Sequence, residues 1–382
     1  MAGKLPSVRH LVGMSRVLVG RSAVRGLRHV TGSPFCPGSP PGARGSPRGC
    51  NRLDLEKFVA GDGGNGGGSR IWINDRSAYH LAVMSEHQII HFAAVDGPLG
   101  DDALEFMRGQ STRAEVTRRR FDNEYHYGDF RGDTLAMMRR GYDVHLHYAN
   151  FGIRRLAFRL PHGPPAPPDV LSAYGDDSVF QWRPDTDGPG GILDFNPEGD
   201  ADAYAEAFWD FDAIVEHLPT IRDGLIAGDL RPFYLMWHAF EAGWDDDAVE
   251  PPIEPPVPAG LDAIDESLQT FAAFYELDPD RIAAAAEASP PLPAGTDRDA
   301  AIDAWLKRQR KSDLQSIVAR VLGGEADAVR SELLATIRDT DPTTTWPTRP
   351  GQRTAGEIDA RSETLSQQRQ QTEAKAAAAR RC

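Results

Sequence analysis

Residues 121–160 read FDNEYHYGDFRGDTLAMMRRGYDVHLHYANFGIRRLAFRL, and this stretch decides the fold. Apolar and polar side chains alternate over residues 142–148 and again over 153–160, which is the period of a half-buried strand. Between the two runs lies Asn150-Phe151-Gly152, whose glycine suits the left-handed position of a three-residue hairpin loop. The sequence therefore predicts a β-hairpin with this loop at its tip.

The loop also fixes the register of the hairpin. Counting outward from Ala149 opposite Ile153 gives an apolar face and a polar face. The apolar face pairs Val144 with Phe158 and Leu146 with Leu156. The polar face pairs Asp143 with Arg159, His145 with Ala157, and His147 with Arg155. A slip of one residue would bury Asp143 and both arginines, so the register is strongly specified.

The first 83 residues differ in composition from the rest of the chain. They contain 12 basic and 4 acidic residues, a net charge of about +8, and they include a Gly/Pro/Ser-rich stretch at 32–50. We interpret residues 1–83 as a disordered basic tail. The alternatives are a transit peptide and an upstream extension of the reading frame, with Met84 as the true start.

The remaining 299 residues set the class of protein. With a formal charge of -14 for the whole chain, they carry about -22, which disfavours nucleic acid and anionic lipid as partners. No apolar run reaches the length of about 18 residues that a membrane span needs. Cys36, Cys50 and Cys382 all lie near the ends of the chain, so the body has no disulfide and no thiolate metal site. We expect a cytoplasmic protein with no membrane contact.

The order of predicted elements indicates an α+β domain over residues 84–200. Four elements are predicted before the hairpin. They are a strand at His87–Val95, a helix through Leu99, Leu104 and Met107, a strand at Ala114–Arg120, and turns over Asn123–Asp133. Asp133 is a natural N-cap for a short helix that ends near Gly141. Two more strands are predicted, near Ser178–Trp182 and Gly191–Phe195. The predicted fold is a small, mainly antiparallel sheet with helices on one face.

An all-helical second half is predicted over residues 201–340. A helix at 203–222 places five apolar side chains on one face: Phe208, Phe211, Ile214, Val215 and Leu218. A second helix carries an aromatic stripe that we interpret as core: Phe233, Met236, Trp237, Phe240 and Trp244. Residues 341–382 are predicted to be a polar linker and a C-terminal helix with too few apolar positions to pack alone.

Three runs of this sequence resemble a bacterial family of hypothetical proteins that has no assigned activity. The runs are NEYHYGDFRGD (123–133), YDVHLHYANFGIRRLAFRLP (142–161) and EPPVPAGL (254–261), and they occur in that order. The resemblance covers roughly residues 86–350 and implies no mechanism, cofactor or site residue.

Four polar side chains in 124–159 are the candidate ligand-binding residues: His126, Asp129, His145 and Arg155. Histidine and carboxylate together suit Zn²⁺, Mn²⁺ or Fe²⁺, and Glu124 and His147 are nearby in the sequence. The alternative is that these residues form the solvated face of a strand, which the lack of a known metal-ligand spacing favours. We therefore assign no metal and no cofactor. Arg155 belongs to a basic group with Arg118–Arg120, Arg154 and Arg159, which would hold an anion or neutralise nearby carboxylates.

No catalytic motif is present. The chain lacks a GxSxG nucleophile elbow and a Walker loop, and neither Gly190-Gly191 nor Gly323-Gly324 belongs to a GxGxxG loop. The sequence thus favours a non-enzymatic protein-interaction module that binds another protein. The alternative is a metal-dependent or anion-binding enzyme that uses the polar face of residues 124–159.

Overall fold

The computed structural model describes residues 86–197, 210–241, 252–292, 298–340, 346–347 and 351–381. The strands are β1 (Gln88–Ala93), β2 (Glu115–Val116), β3 (Arg120–Tyr125), β4 (Val144–Ala149), β5 (Ile153–Leu160), β6 (Phe180–Pro184) and β7 (Gly191–Phe195). They form one sheet in the order β2-β3-β1-β4-β5-β7-β6, and every neighbouring pair is antiparallel. The α+β prediction is confirmed.

The β4–β5 hairpin has the predicted register. Val144 lies opposite Phe158, His145 opposite Ala157, and Ala149 opposite Ile153. Gly152 takes the left-handed conformation that the loop requires, with φ of 103°. Because the turn and the alternation agree, the sequence specified this element at single-residue resolution.

The region before the hairpin differs from the prediction. The strand expected at Ala114–Arg120 is reduced to Glu115–Val116, and residues expected to form turns instead lie in β3. The core-facing positions of β3 are Phe121, Asn123 and Tyr125. The polar Asn123 in the middle of this set weakens the apolar alternation, so the strand has a poor sequence signal.

The helices, in chain order, are α1 (Asp101–Arg108), α2 (Thr134–Arg139), α3 (Pro168–Leu171), α4 (Phe211–Ile226), α5 (Arg231–Glu241), α6 (Glu266–Phe274), α7 (Pro279–Ala286), α8 (Arg298–Arg308), α9 (Lys311–Arg320), α10 (Ala326–Thr340) and α11 (Ala355–Arg381). A 3-10 turn at Leu261–Ala263 precedes α6, and a wide helical turn at Val321–Glu325 joins α9 to α10. Within the described residues, no helix is both long and apolar enough to cross a bilayer.

The two faces of the sheet pack against different helices. On one face, Ile90 and Phe92 of β1 share a buried cluster with Leu104 and Met107 of α1 and with residues of α2. Asp133 caps α2 as predicted, since its carboxylate accepts a hydrogen bond of 2.9 Å from the backbone N–H of Ala136.

On the opposite face, the apolar side of the hairpin packs against the helical half. Val144, Leu146 and Phe158 belong to one buried cluster with Ile214 and Leu218 of α4 and with residues of α5 and α6. In the aromatic stripe, Phe233, Met236 and Trp237 are buried and Phe240 is half-buried, whereas Trp244 lies outside the described residues. Phe208 of the helix predicted at 203–222 also lies outside them. The stripe is core in its described part.

Strands and helices therefore share one core, although the sequence places them in separate domains. The proposed boundary at residue 200 lies outside the described residues, as does the tail 1–83. The division at residues 200 and 340 stays a prediction.

Candidate functional site

The sheet separates the histidines that the sequence grouped together. In β1 and β4, His147 lies opposite Ile90 and His145 opposite Phe92, so both histidines are on the face covered by α1 and α2. His126 follows β3 and contacts His87, which precedes β1. Both of these histidines lie on the opposite face of the sheet from His145 and His147. Because a sheet places alternate residues on opposite faces, His126 and His145 cannot bind one ligand.

His145 is a core residue, and the expectation of a solvated strand face is wrong at this position. Its side chain has no exposed surface, and its ring stacks on Phe92 at a centroid distance of 4.0 Å. Nδ1 lies 3.1 Å from the carbonyl oxygen of His91, so Nδ1–H donates to that carbonyl. Burial, reinforced by the charge of Arg155, holds the pKa of His145 well below its usual range. His145 is therefore a neutral, enclosed imidazole whose Nε2 has no hydrogen-bond partner among the described residues.

His147 and Asp129 meet through Gln88 rather than through a shared ligand. The ring Nε2 of His147 lies 3.1 Å from Oε1 of Gln88, and the amide nitrogen of Gln88 donates to Asp129 Oδ1 at 3.4 Å. Burial, together with the charge of Arg155, lowers the pKa of His147 to about 4. This network pins the exposed loop that carries Asp129 onto the sheet.

Arg155 is already engaged by a buried carboxylate. Its Nε and Nη2 donate to the two carboxylate oxygens of Asp194, at 2.8 and 2.6 Å. The other arginines of the group also have acidic partners: Arg118 with Asp101, Arg119 with Asp327, Arg120 with Asp122, Arg154 with Glu276, and Arg159 with Asp185. Each arginine of this basic group therefore lies against a carboxylate, as the neutralisation alternative expects, and anion binding stays a prediction.

His126 does join a cluster, with Glu124 and with His87, which the sequence did not single out. Nε2 of His87 lies 2.9 Å from Glu124 Oε1, and Nε2 of His126 lies 3.6 Å from the same oxygen. The two imidazole rings stack at 5.6 Å with an angle of 15° between their planes. Because β3 lacked a sequence signal, its pairing with β1, which brings these residues together, could not be predicted.

A second polar assembly is buried between the sheet and the helical half. Arg222 of α4 donates to both carboxylate oxygens of Asp96 and lies 3.5 Å from Asp143 Oδ1. Burial is the largest single influence on Asp96 and disfavours its charge, but the hydrogen bonds from Arg222 and Ser331 and the charge of Arg222 together outweigh it and lower the Asp96 pKa. Ser331 of α10 donates to Asp96 at 2.6 Å. Because the Arg222 side chain is entirely buried and its donors are bonded to protein groups, we assign these contacts to structural stability.

An exposed apolar surface lies in α9 and the turn after it. No residue in the segment 311–325 is buried, and within it Val318, Val321 and Leu322 expose 55%, 40% and 82% of their surface. No role was predicted for this segment, because the most conspicuous apolar pattern in the helical half is the aromatic stripe of α5, which is core.

One shallow depression of about 390 Å³ is lined by Pro164–Pro167, Arg338, Asp339 and Trp346. Arg338 and Asp339 pair with each other at 2.7 Å. The lining side chains of this depression include no Ser, Cys, Lys or His, and the carboxylate of Asp339 is paired with Arg338.

No protein-family model, no curated protein and no solved structure matches the chain. The resemblance to a bacterial family of hypothetical proteins stays a prediction, and we infer function from the chain's own residues.

Proposed function

We propose that this chain is a non-enzymatic interaction protein that docks an acidic amphipathic helix of a partner protein on the segment 311–325. The observation that supports this function is the exposed apolar row of Val318, Val321 and Leu322. Their spacing of i, i+3 and i+4 puts the three side chains on one side of the helix. An apolar row of this kind is the usual anchor surface for a partner helix.

The charge around this row specifies the chemistry of the partner. Residues 307–311 contain four basic residues and no acidic one, in a chain with a formal charge of -14, whereas the segment 311–325 itself carries two basic and two acidic residues. Lys307 and Arg320 form ion pairs, whereas Arg308, Arg310 and Lys311 are exposed and form none with the residues that the structure describes. A basic rim next to an apolar row favours an acidic amphipathic partner and speeds its association.

The test is quantitative capture from a native lysate by the full-length chain. Three baits are compared: the natural sequence, the double variant Val318→Asp/Leu322→Asp, and Leu292→Asp. Leu292 is a matched control because 55% of its surface is exposed, the same fraction as for Val318, yet it lies outside the segment 311–325.

The natural chain and the control should capture the same stoichiometric protein, and the double variant should capture at least tenfold less. Raising the salt concentration from 0.1 to 0.5 M should weaken the captured complex, because the screening length shortens. The purified partner should contain an acidic helix that binds the natural chain directly. Identical capture by all three baits contradicts the proposal, and so does self-association of the chain through the same residues.

A further inference from the structure

We propose that His87, Glu124 and His126 form a binding site for a divalent transition-metal ion, for which Zn²⁺ is the probe. The site is independent of the interaction surface at 311–325. Among the residues that the structure describes, this is the group of His, Cys, Asp and Glu side chains whose ligand atoms come close enough to bind a common ion, all within 4.8 Å of one another.

Strand pairing brings the three residues together. β1 and β3 are antiparallel with Gln88 opposite Tyr125, so the next position outward places His87 against His126. Glu124 precedes His126 by two residues and therefore faces the same side. The spacing is fixed by the backbone of the sheet, which favours a preorganised site over a chance meeting of long side chains.

The distances suit a first-row metal ion. Zn²⁺ binds imidazole nitrogen and carboxylate oxygen at about 2.0–2.2 Å, so neighbouring ligand atoms on a tetrahedral ion are about 3.3 Å apart. The carboxylate oxygen of Glu124 lies 2.9 Å from one imidazole nitrogen and 3.6 Å from the other. The ligand atoms of the two histidines lie within 4.8 Å of each other, so these side chains must approach by up to about 1.5 Å to share one ion.

The three ligands differ in how firmly they are held. The ring of His87 makes edge contacts with Tyr148 and Phe211, at centroid distances of 6.2 and 6.3 Å. Its backbone N–H donates to Asn150 Oδ1 at 2.9 Å. Glu124 and His126 are more exposed, with 58% and 62% of their side-chain surface accessible. One anchored and two adjustable ligands allow an ion to enter from solvent.

The donor set specifies the class of ion. Two imidazoles with one carboxylate suit Zn²⁺, Fe²⁺, Mn²⁺ or Co²⁺, whereas Ca²⁺ and Mg²⁺ prefer oxygen ligands alone. Three protein ligands on an exposed site leave at least one coordination position for water or a small ligand. The site would thus be an open metal centre.

The experiment is calorimetric titration of the full-length chain with ZnCl₂ after removal of metal by a chelator. Glu124→Gln removes the carboxylate charge while it preserves the side-chain shape, and His126→Ala removes one imidazole. His217→Ala is the matched control, a half-buried histidine in α4 outside the cluster. X-ray absorption at the zinc edge then identifies the ligand atoms.

We expect one Zn²⁺ per chain, with affinity reduced at least tenfold in Glu124→Gln and in His126→Ala but unchanged in His217→Ala. The absorption spectrum should show nitrogen and oxygen neighbours and no sulfur, which separates this site from binding by Cys36, Cys50 or Cys382. Equal affinity in all four proteins, absence of binding, or sulfur ligation would overturn the proposal and leave the cluster as an ion pair only.

Discussion

Arg222 and Asp96 form a bidentate ion pair, with Nη1–Oδ1 and Nη2–Oδ2 distances of 2.8 and 2.6 Å, that fastens α4 to the turn after β1. The guanidinium is entirely buried, and it also donates through Nε to the carbonyl oxygen of Arg159 at 2.7 Å. The Arg222 side chain, which belongs to the helical half, therefore donates hydrogen bonds to two segments of the sheet region. The joint lies between parts of the chain that the sequence places in separate domains.

Replacing Arg222 by Leu should lower the free energy of unfolding by about 3–5 kcal/mol, because it leaves Asp96 and Asp143 as uncompensated, largely buried carboxylates. Chemical denaturation at neutral pH measures the change. The control is Lys307→Ala, which breaks the exposed Lys307–Asp303 pair and should cost less than about 1 kcal/mol. Equal costs for the two variants would contradict the structural role of Arg222.

Stability should fall as the pH is lowered from 7 to 5. His147 has a folded-state pKa of about 4, below the ordinary value near 6.5, so the unfolded chain binds a proton in this range and the folded chain does not. His147 alone should therefore cost about 2 kcal/mol between pH 7 and pH 5. Buried His145 and His238, whose pKa values burial also lowers, act in the same direction.

The measurement is urea denaturation at several pH values for the natural chain and for His147→Gln. The variant lacks the titrating group, so its loss of stability between pH 7 and pH 5 should be smaller by about 2 kcal/mol. An unchanged pH dependence would contradict the lowered pKa, because it would show that His147 binds a proton equally well in the folded and unfolded chain.

Gly141 should not tolerate a side chain. Its φ of 135° is a conformation that other residues rarely adopt, and a Cβ there would approach Leu99 Cδ2 at 2.6 Å. Gly141→Ala should destabilise the protein by about 1–3 kcal/mol, measured by chemical denaturation. Gly97→Ala is the matched control, since a Cβ at that position would meet no atom within 4 Å, and it should change stability by less than about 1 kcal/mol.

The start of the C-terminal helix α11 should contribute to the stability of the fold, whereas its end should not. Ile358 is fully buried near Trp237 and Ala284, whereas residues 371–380 are exposed. Ile358→Asp should cost at least about 2 kcal/mol, because it buries a charge in an apolar contact. Removal of residues 371–382 should leave the melting temperature within about 2 °C of the natural value. A large loss on truncation would indicate contacts made by the end of the helix.

The sequence alone determined the β4–β5 hairpin, its register and the N-cap at Asp133. These features depend on interactions between residues close in the chain: an alternating pattern, a loop glycine and a capping carboxylate. Such signals are complete within about 20 residues, so no knowledge of the remaining fold was needed to interpret them.

Only the tertiary structure decided which polar residues share an environment. His145 is buried because α1 and α2 cover its face of the sheet, and His87 contacts His126 because β1 pairs with β3. Likewise, Arg222 forms an ion pair with Asp96, which is 126 residues away in the sequence. Each contact depends on the packing of segments far apart in the chain, and a period-2 pattern shows that a strand has two faces without showing what will cover either one.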